Sequence, residues 1–275
     1  MSGPIIPVRT GLYIDGAWRD ASDGAEIEVL DPANEEAIAS VASASIEDGL
    51  AAVDAAHRAL PAWAATAPRR RAEVLRKAFE LMIARAEDFA KLMSQENGKA
   101  LKDARGEAAY AAEFFRWYSE EAVRNISEIS INPAGTNRIL VLQQPVGVSI
   151  LVTPWNFPAA MATRKIGPAL AAGCAVVLKP ASETPLTALA LAGLLEEAGV
   201  PKGVVNVIPS HRSSKVVAAI INDPRVRKLS FTGSTQVGSV LLREAAAHAQ
   251  NRDQETQLHT SSLTPTLTAN ATHFG

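Results

Sequence analysis

From Val148 onward, apolar runs of strand length alternate with segments of helix length, and this alternation limits the fold more than any other feature. Val148 to Thr153, Ala175 to Lys179, Val204 to Ile208 and Lys228 to Thr232 read as four strands. Thr163 to Ala172, Thr184 to Ala198 and Ser213 to Ile221 read as the helices between them, and Gly233 opens a further helix to about Ala247. Gly199, with Pro201 beyond it, stops the second helix. Strands this apolar are buried on both faces, and a helix in each connection makes neighbours parallel. The expected class is α/β, a Rossmann-like parallel sheet covered by helices on both sides.

The first half of the chain has other periods. Tyr13 to Trp18 reads as a hairpin around Asp15-Gly16. Ile46 to Trp63 has a helical stripe of Leu50, Val53, Ala56 and Leu60. Pro68 to Gln95 reads as one long amphipathic helix with Arg69, Arg70 and Arg71 on a solvated face. Lys102 to Ile126 reads as another, with Phe114, Phe115, Trp117 and Tyr118 expected in the core. Ile129 to Val148 alternates as a hairpin does, around Pro133-Ala134-Gly135-Thr136-Asn137. Asn251 to Gly275, rich in Thr, Ser, Asn, Gln and His, carries neither stripe nor alternation and is expected to be a disordered tail.

Charge argues against some partners. With 27 basic and 29 acidic residues the net charge is -2, which gives no electrostatic case for nucleic acid or an anionic membrane. The longest apolar region, Ile166 to Leu178, is interrupted by Gly167, Pro168 and Gly173 and falls short of the roughly 18 residues of a membrane span. Cys174 is the only cysteine, so an internal disulfide is impossible. A soluble, cytoplasmic protein is expected, and no metal site is assigned.

A parallel sheet of this kind binds ligands at the carboxyl ends of its strands. There the sequence places Thr153-Pro154-Trp155-Asn156, Lys179-Pro180-Ala181-Ser182 and Phe231-Thr232-Gly233-Ser234. Polar, cationic and glycine residues thus gather on one edge, as a nucleotide site needs. Gly233 and Gly238 bracket a strand-to-helix turn whose backbone N–H groups suit a phosphate. A plain turn with Ser234 or Thr235 as helix cap accounts for it equally. The glycine fingerprint of ordinary dinucleotide folds is absent.

Thr153-Pro154-Trp155-Asn156-Phe157-Pro158, Ala171-Ala172-Gly173-Cys174, Lys179-Pro180-Ala181 and Phe231-Thr232-Gly233-Ser234-Thr235, in this order and spacing, resemble the aldehyde dehydrogenase superfamily. Tyr13-Ile14-Asp15-Gly16, Asp31-Pro32-Ala33 and Glu96-Asn97-Gly98-Lys99 agree, so the likeness covers about Gly11 to Ala246. Trp155 to Lys165 and the Glu120-Glu121-Ala122 neighbourhood resemble the succinate-semialdehyde group. The resemblance implies an NAD(P)-binding domain over 11–246, an oligomerisation-type hairpin insertion over 127–148 and an atypical tail over 247–275. It implies homo-oligomers, with this chain's own assembly open. It also implies that Asn156 stabilises the oxyanion formed from an aldehyde and that Lys179 holds the adenosine ribose. Thr153, Pro154 and Trp155 would line the cofactor site, with Gly233, Ser234 and Gly238 as the pyrophosphate turn. Arg164 matches an arginine near cofactor and substrate, though a helix-surface role stays open. At Ser182 many NAD-using relatives carry a glutamate, which repels a 2′-phosphate, so a neutral residue here favours NADP over NAD. Ser210 replaces a glycine common among relatives.

The family chemistry needs a nucleophilic thiolate and a glutamate base. Cys174 matches a non-catalytic segment, and the Glu-Leu-Gly-Gly strand expected after Ala246 is absent, as is the catalytic domain. With synonymous codons chosen to fit, a two-nucleotide frame offset after Gln254 lets Glu255 to Thr268 encode Gly-Asn-Ala, without the glycine that precedes it, and, six residues on, Asp-Ala-Asp-Leu-Asp, which resembles the sequence following that glutamate. The tail is therefore expected to be a frameshifted reading of a longer gene, a point the genomic DNA decides. Three readings stay open: an aldehyde dehydrogenase fragment inactive alone, a cofactor-binding or regulatory fragment that pairs with a full-length relative, and an α/β domain with no activity.

Overall fold

A computed structural model describes residues 7–124, 127–249 and 257–260. The chain order is β1 (Leu12–Ile14), β2 (Ala17–Arg19), β3 (Glu26–Asp31), β4 (Glu36–Ala42), α1 (Ile46–Ala64), α2 (Pro68–Ala84), α3 (Ala86–Asn97) and α4 (Leu101–Glu121). There follow β5 (Glu128–Ile131), β6 (Arg138–Val141), β7 (Val148–Val152), α5 (Pro158–Ala172), β8 (Ala175–Lys179), α6 (Pro185–Ala198), β9 (Val205–Val207), α7 (Ser213–Ile221), β10 (Val226–Phe231), α8 (Thr235–Ala249) and β11 (Gln257–Thr260).

The main sheet has the order β11-β10-β7-β8-β9-β1-β2. Its strands from β11 to β9 are parallel, and for β7, β8, β9 and β10 the alternation predicts this. The β1–β2 hairpin extends this sheet antiparallel to β9, which the sequence pattern did not show. Side chains alternate across it. Leu151, Val176 and Leu178 enter a core shared with α2 to α6, whereas Ile150, Val152 and Val177 enter another shared with α1, α7 and α8.

The N-terminal helices belong to these same two cores. Helix α1 lies against β7, β8, β9 and α7, while α2, α3 and α4 form an outer layer over α5 and α6. The long helix expected from Pro68 to Gln95 is two helices, broken at Arg85 (φ -111°, ψ 17°), whose guanidinium donates to Glu197 on α6 at 2.7 Å. Neither Gly nor Pro marks the break, because the change of direction serves packing against α4 and α6 rather than a local preference.

Other expectations are corrected. Arg71 is buried, not solvated: its Nε donates to Ala171 O at 3.0 Å and its Nη1 to Thr66 O, which satisfies carbonyls where α5 and α1 end. Of the four aromatics on α4, Phe115 is fully buried but Trp117 is exposed. Leu50 is exposed on α1. Helix α5 begins at Pro158, five residues before the expected Thr163, and α4 ends at Glu121; Asn125 and Ile126 lie outside the described residues. The β3–β4 hairpin was not expected. Within the polar tail, Gln257–Thr260 forms β11 beside β10, so this part is strand rather than disordered; the backbone amides of a sheet edge accept any extended partner. Residues 250–256 and 261–275 lie outside the described residues.

The expected hairpin over 129–148 is present as β5–β6, paired from Glu128↔Val141 to Ile131↔Arg138. It buries almost nothing within the chain: Ile129, Ile131, Ile139 and Leu140 are all exposed. No helix among the described residues is long and apolar enough to cross a membrane.

Candidate functional site

Parallel register brings the carboxyl ends of β10, β7 and β8 side by side. Thr153 N–H donates to Lys179 O at 3.3 Å, and Thr232 N–H to Val152 O at 3.1 Å. The three segments picked out from the sequence therefore meet on one edge. Thr153 is buried beneath it, Pro154 is half-buried, and Trp155, Asn156 and Phe157 are exposed above it. No hydrogen bond from the Asn156 side chain to a described residue is formed, so its amide is available to a ligand.

Lys179 closes β8 and is buried to within 6 % of full coverage, with no ion-pair partner among the described residues. Burial lowers its ammonium pKa to about 8, against a smaller opposing effect of Glu183. Ser182, half-buried, donates to Glu183 Oε2 at 3.1 Å. A buried cation without an anion is costly unless a ligand supplies one. The hydroxyls of Thr184 and Thr232, at the same edge, are buried without a hydrogen-bond partner among the described residues.

Gly233 and Gly238 are set by Phe231. A Cβ at Gly233 would lie 2.5 Å from the Phe231 ring and one at Gly238 3.2 Å from it, so the turn between β10 and α8 wraps directly on that ring. Ser234 accepts from Val237 N–H at 3.3 Å, so the local cap read from the sequence is present. The segment from Gly233 to Val237 is nevertheless exposed.

The starts of α5 and α6, at the same edge, are closed. Both α5 and α6 begin with proline, which needs no N–H partner, and neither has a side-chain cap from its own sequence. Glu107 on α4 accepts Ala159 N–H at 2.9 Å and Ala160 N–H at 3.1 Å. Glu96 on α3 accepts Leu186 N–H at 2.8 Å, Thr187 N–H at 2.9 Å and the Thr187 hydroxyl. Each internal carboxylate occupies the place a phosphate takes at a helix N-terminus. Helices α7 and α8, which also start at this edge, have no internal carboxylate on their first-turn amides among the described residues, and the first turn of α8 is exposed. Burial pushes the Glu96 carboxyl up to about 7, opposed by its hydrogen bonds from Thr187 and Leu186 and reinforced by Glu107. Sequence reading missed both glutamates as capping groups, because they sit 52 and 90 residues before the amides they serve.

Arg164 is not at the strand ends. It lies well into α5 and faces α4, with its guanidinium 5.8 Å from the centre of the Phe114 ring. It forms no salt bridge with a described carboxylate. The adjacent Lys165 was also missed. It is buried, donates to Ser230 on β10 at 2.8 Å and has its pKa lowered to about 7, by burial first and then by Arg164 and Lys228.

Cys174 lies immediately before β8, at the amino edge of the sheet. Asn156 follows β7 at the carboxyl edge, so the five-residue strands separate them by roughly 16 Å at a rise of about 3.3 Å per residue. Burial raises the Cys174 thiol pKa, which disfavours the thiolate further. The sequence expectation that this cysteine is not the nucleophile agrees with both observations.

A parallel sheet with helices on both faces and lysine, serine and an exposed helix turn at its carboxyl edge places this chain among the α/β proteins whose ligand sites lie at that edge. The sequence profile of the aldehyde dehydrogenase family matches residues 18–262, and the chain belongs to that family. It is succinate-semialdehyde dehydrogenase-like: it is 54% identical over 218 residues to the succinate-semialdehyde dehydrogenase of Paenarthrobacter nicotinovorans, covering 79% of this chain and 48% of the relative. It is 50% identical to the glutarate-semialdehyde dehydrogenase of Pseudomonas aeruginosa and 49% identical to the succinate-semialdehyde dehydrogenase [NADP(+)] of Escherichia coli, covering 86% of this chain and 49% of each relative. The crystal structure of succinate-semialdehyde dehydrogenase from Burkholderia pseudomallei superimposes with a TM-score of 0.87 at 43% identity, over 91% of this chain and 51% of that one. The chain thus spans about half the length of the curated relatives it matches.

Proposed function

We propose that this chain is the cofactor-binding portion of an aldehyde dehydrogenase that oxidises a short aldehyde bearing a carboxylate at its other end, succinate semialdehyde first, and that it takes NADP in preference to NAD. The observation that carries this reading is the buried, unpaired Lys179 beside the neutral Ser182. Lys179 and Ser182 would hold the ribose and its 2′-phosphate, and the exposed amides of Gly233 to Val237 the pyrophosphate, with Gly238 letting α8 close on Phe231. Thr153, Pro154 and Trp155 would form the floor and wall toward the nicotinamide. Once bound, the cofactor supplies the hydride acceptor. The free Asn156 amide donates to the aldehyde oxygen as negative charge grows on it. Arg164, without a described counterion, has the planar fork that pairs with a carboxylate. This supports a role toward the substrate's distal end over one toward the cofactor. The names of the Paenarthrobacter and Pseudomonas relatives fit such a substrate.

The chain by itself is proposed to bind cofactor without turning over aldehyde, since its single thiol lies at the wrong edge. The exposed apolar strip of β5–β6 supports association through that hairpin, with itself or with a longer relative.

Isothermal titration with NADP and NAD tests the reading. Saturable binding is expected, tighter for NADP. Lys179→Ala should weaken it about tenfold or more, the loss of one charge-assisted hydrogen bond of ~1.5–3 kcal/mol. Ser182→Glu should reduce NADP affinity on the order of tenfold with little change for NAD. Equal affinities in the native chain, or a Lys179→Ala variant that binds as well as the parent, would overturn the assignment.

A further inference from the structure

Within its own segment, the turn that presents Asn156 is tied only where Met161 N–H donates to Phe157 O at 2.9 Å as α5 begins. Its other described tethers come from the end of α3 and the connection to α4. Asn97 Nδ2 donates to Trp155 O at 2.9 Å. Lys99 Nζ donates to Asn156 O at 2.8 Å and to Glu107 Oε2, and its ammonium sits 4.4 Å from the centre of the Phe157 ring. Glu107 in turn holds the Ala159 and Ala160 amides at the start of α5. Three consecutive residues of the turn and the first turn of the helix after it are thus gripped from one side by Asn97, Lys99 and Glu107.

The grip has the right chemistry for positioning. The side chain of Glu107 has no exposed surface and that of Lys99 only 13 %, so the pair is shielded from solvent screening. One ammonium bridges a carboxylate, a carbonyl and a ring face, which fixes the peptide of Asn156 from three directions. Gly98 makes the reversal possible: it ends α3 at φ 77°, and a Cβ there would lie 2.6 Å from Pro32. The Asn156 amide meanwhile is left free.

We propose that Lys99, braced by Glu107 and assisted by Asn97, is a positioning residue: it immobilises the Trp155–Asn156–Phe157 turn so that the Asn156 amide is already oriented when an aldehyde oxygen arrives. A donor aimed in advance needs no reorganisation as charge develops. The inference rests on the reading of Asn156 as the oxyanion donor. Its test is read in the cofactor-free chain, so a failure of the cofactor assignment leaves it intact.

The experiment is 15N relaxation on the full chain, following the backbone amides of Asn156 and Phe157 and the Asn156 side-chain amide. In the native chain their order parameters should match those of β7, about 0.85. In Lys99→Met they should fall below about 0.6 while β7 and the later turns of α5 stay rigid. Lys99→Arg, which restores the cation, should restore them. Unchanged order at Asn156 in Lys99→Met overturns the proposal. So does a loss spread over β7 and all of α5, which would make the lysine a general packing element. If Lys99→Met does not fold, Asn97→Ala decides: a smaller loss confined to Trp155 and Asn156 supports the proposal, and no change there overturns it.

Discussion

Replacing Glu107 with alanine is expected to lower the stability of the folded chain by about 3–5 kcal/mol, the usual cost of breaking a buried ion pair by removing one partner. Three groups lose an acceptor together: the Lys99 ammonium, which keeps only the Asn156 carbonyl, and the N–H groups of Ala159 and Ala160. The two amides have no alternative in their own segment, since α5 has no local cap and begins with a proline. Urea unfolding followed by circular dichroism measures this as a drop in midpoint at constant slope. Glu107→Gln should cost less, because the amide oxygen still accepts from the helix start. A loss below about 1 kcal/mol in Glu107→Ala would show that water replaces the carboxylate without difficulty, contrary to its burial.

Lys165→Met is expected to do the opposite. The Lys165 ammonium is buried against Ser230 with Arg164 and Lys228 for neighbours, and its pKa falls from 10.5 to about 7. The folded state therefore releases its proton near pH 7, whereas the unfolded chain keeps it to about pH 10. Between those values the unfolded chain binds more protons, so stability rises with pH. Methionine has nearly the same shape and no proton to lose. Its variant should gain roughly 2–4 kcal/mol at pH 7 and show a flatter profile from pH 7 to 10. Lys179, lowered to about 8, contributes with the same sign. Glu96 has the opposite sign: its pKa is raised to about 7, so its contribution is full below pH 4.5 and is lost as pH rises to 7. The native chain should then have a shallow stability minimum near neutral pH. Denaturant titrations at pH 5, 7 and 9 on both proteins check this, and a Lys165→Met profile parallel to the parent's above pH 7 would show that Lys165 is not the group responsible.

The roles that Glu107, Lys165 and Glu96 take in these predictions were not legible in the sequence, and the reason is geometric. Local chemistry is legible where a residue acts on its own neighbourhood. The apolar runs of β7 and β8 declare strands buried on both faces, and Gly199 declares a helix end. Parallel connection then places Thr153 to Asn156, Lys179 to Ser182 and Gly233 to Gly238 on one edge without further information. The position of Cys174 between a helix and a strand, together with the non-catalytic family segment it resembles, argues against it as nucleophile.

What the sequence could not show are contacts between residues far apart in the chain. Glu96 stands in a family-like motif and Glu107 in a helical stretch, and neither shows a capping role until folding brings them to the starts of α6 and α5. Arg71 sits in a run of three arginines that pattern alone assigns to solvent, and only the meeting of α1, α2 and α5 buries it. The break at Arg85 and the joining of β1 and β2 to the sheet follow from packing rather than propensity. The polar stretch at Gln257–Thr260 has no core alternation, yet the open edge of β10 offers it backbone hydrogen bonds, which do not depend on side chains. The sequence by itself determined the α/β class, the family likeness and the edge where ligand chemistry gathers, because these depend on local period and short motifs. The tertiary structure decided which helix starts are closed by an internal carboxylate and what holds Asn156 in place, because those depend on which distant side chain reaches which backbone group.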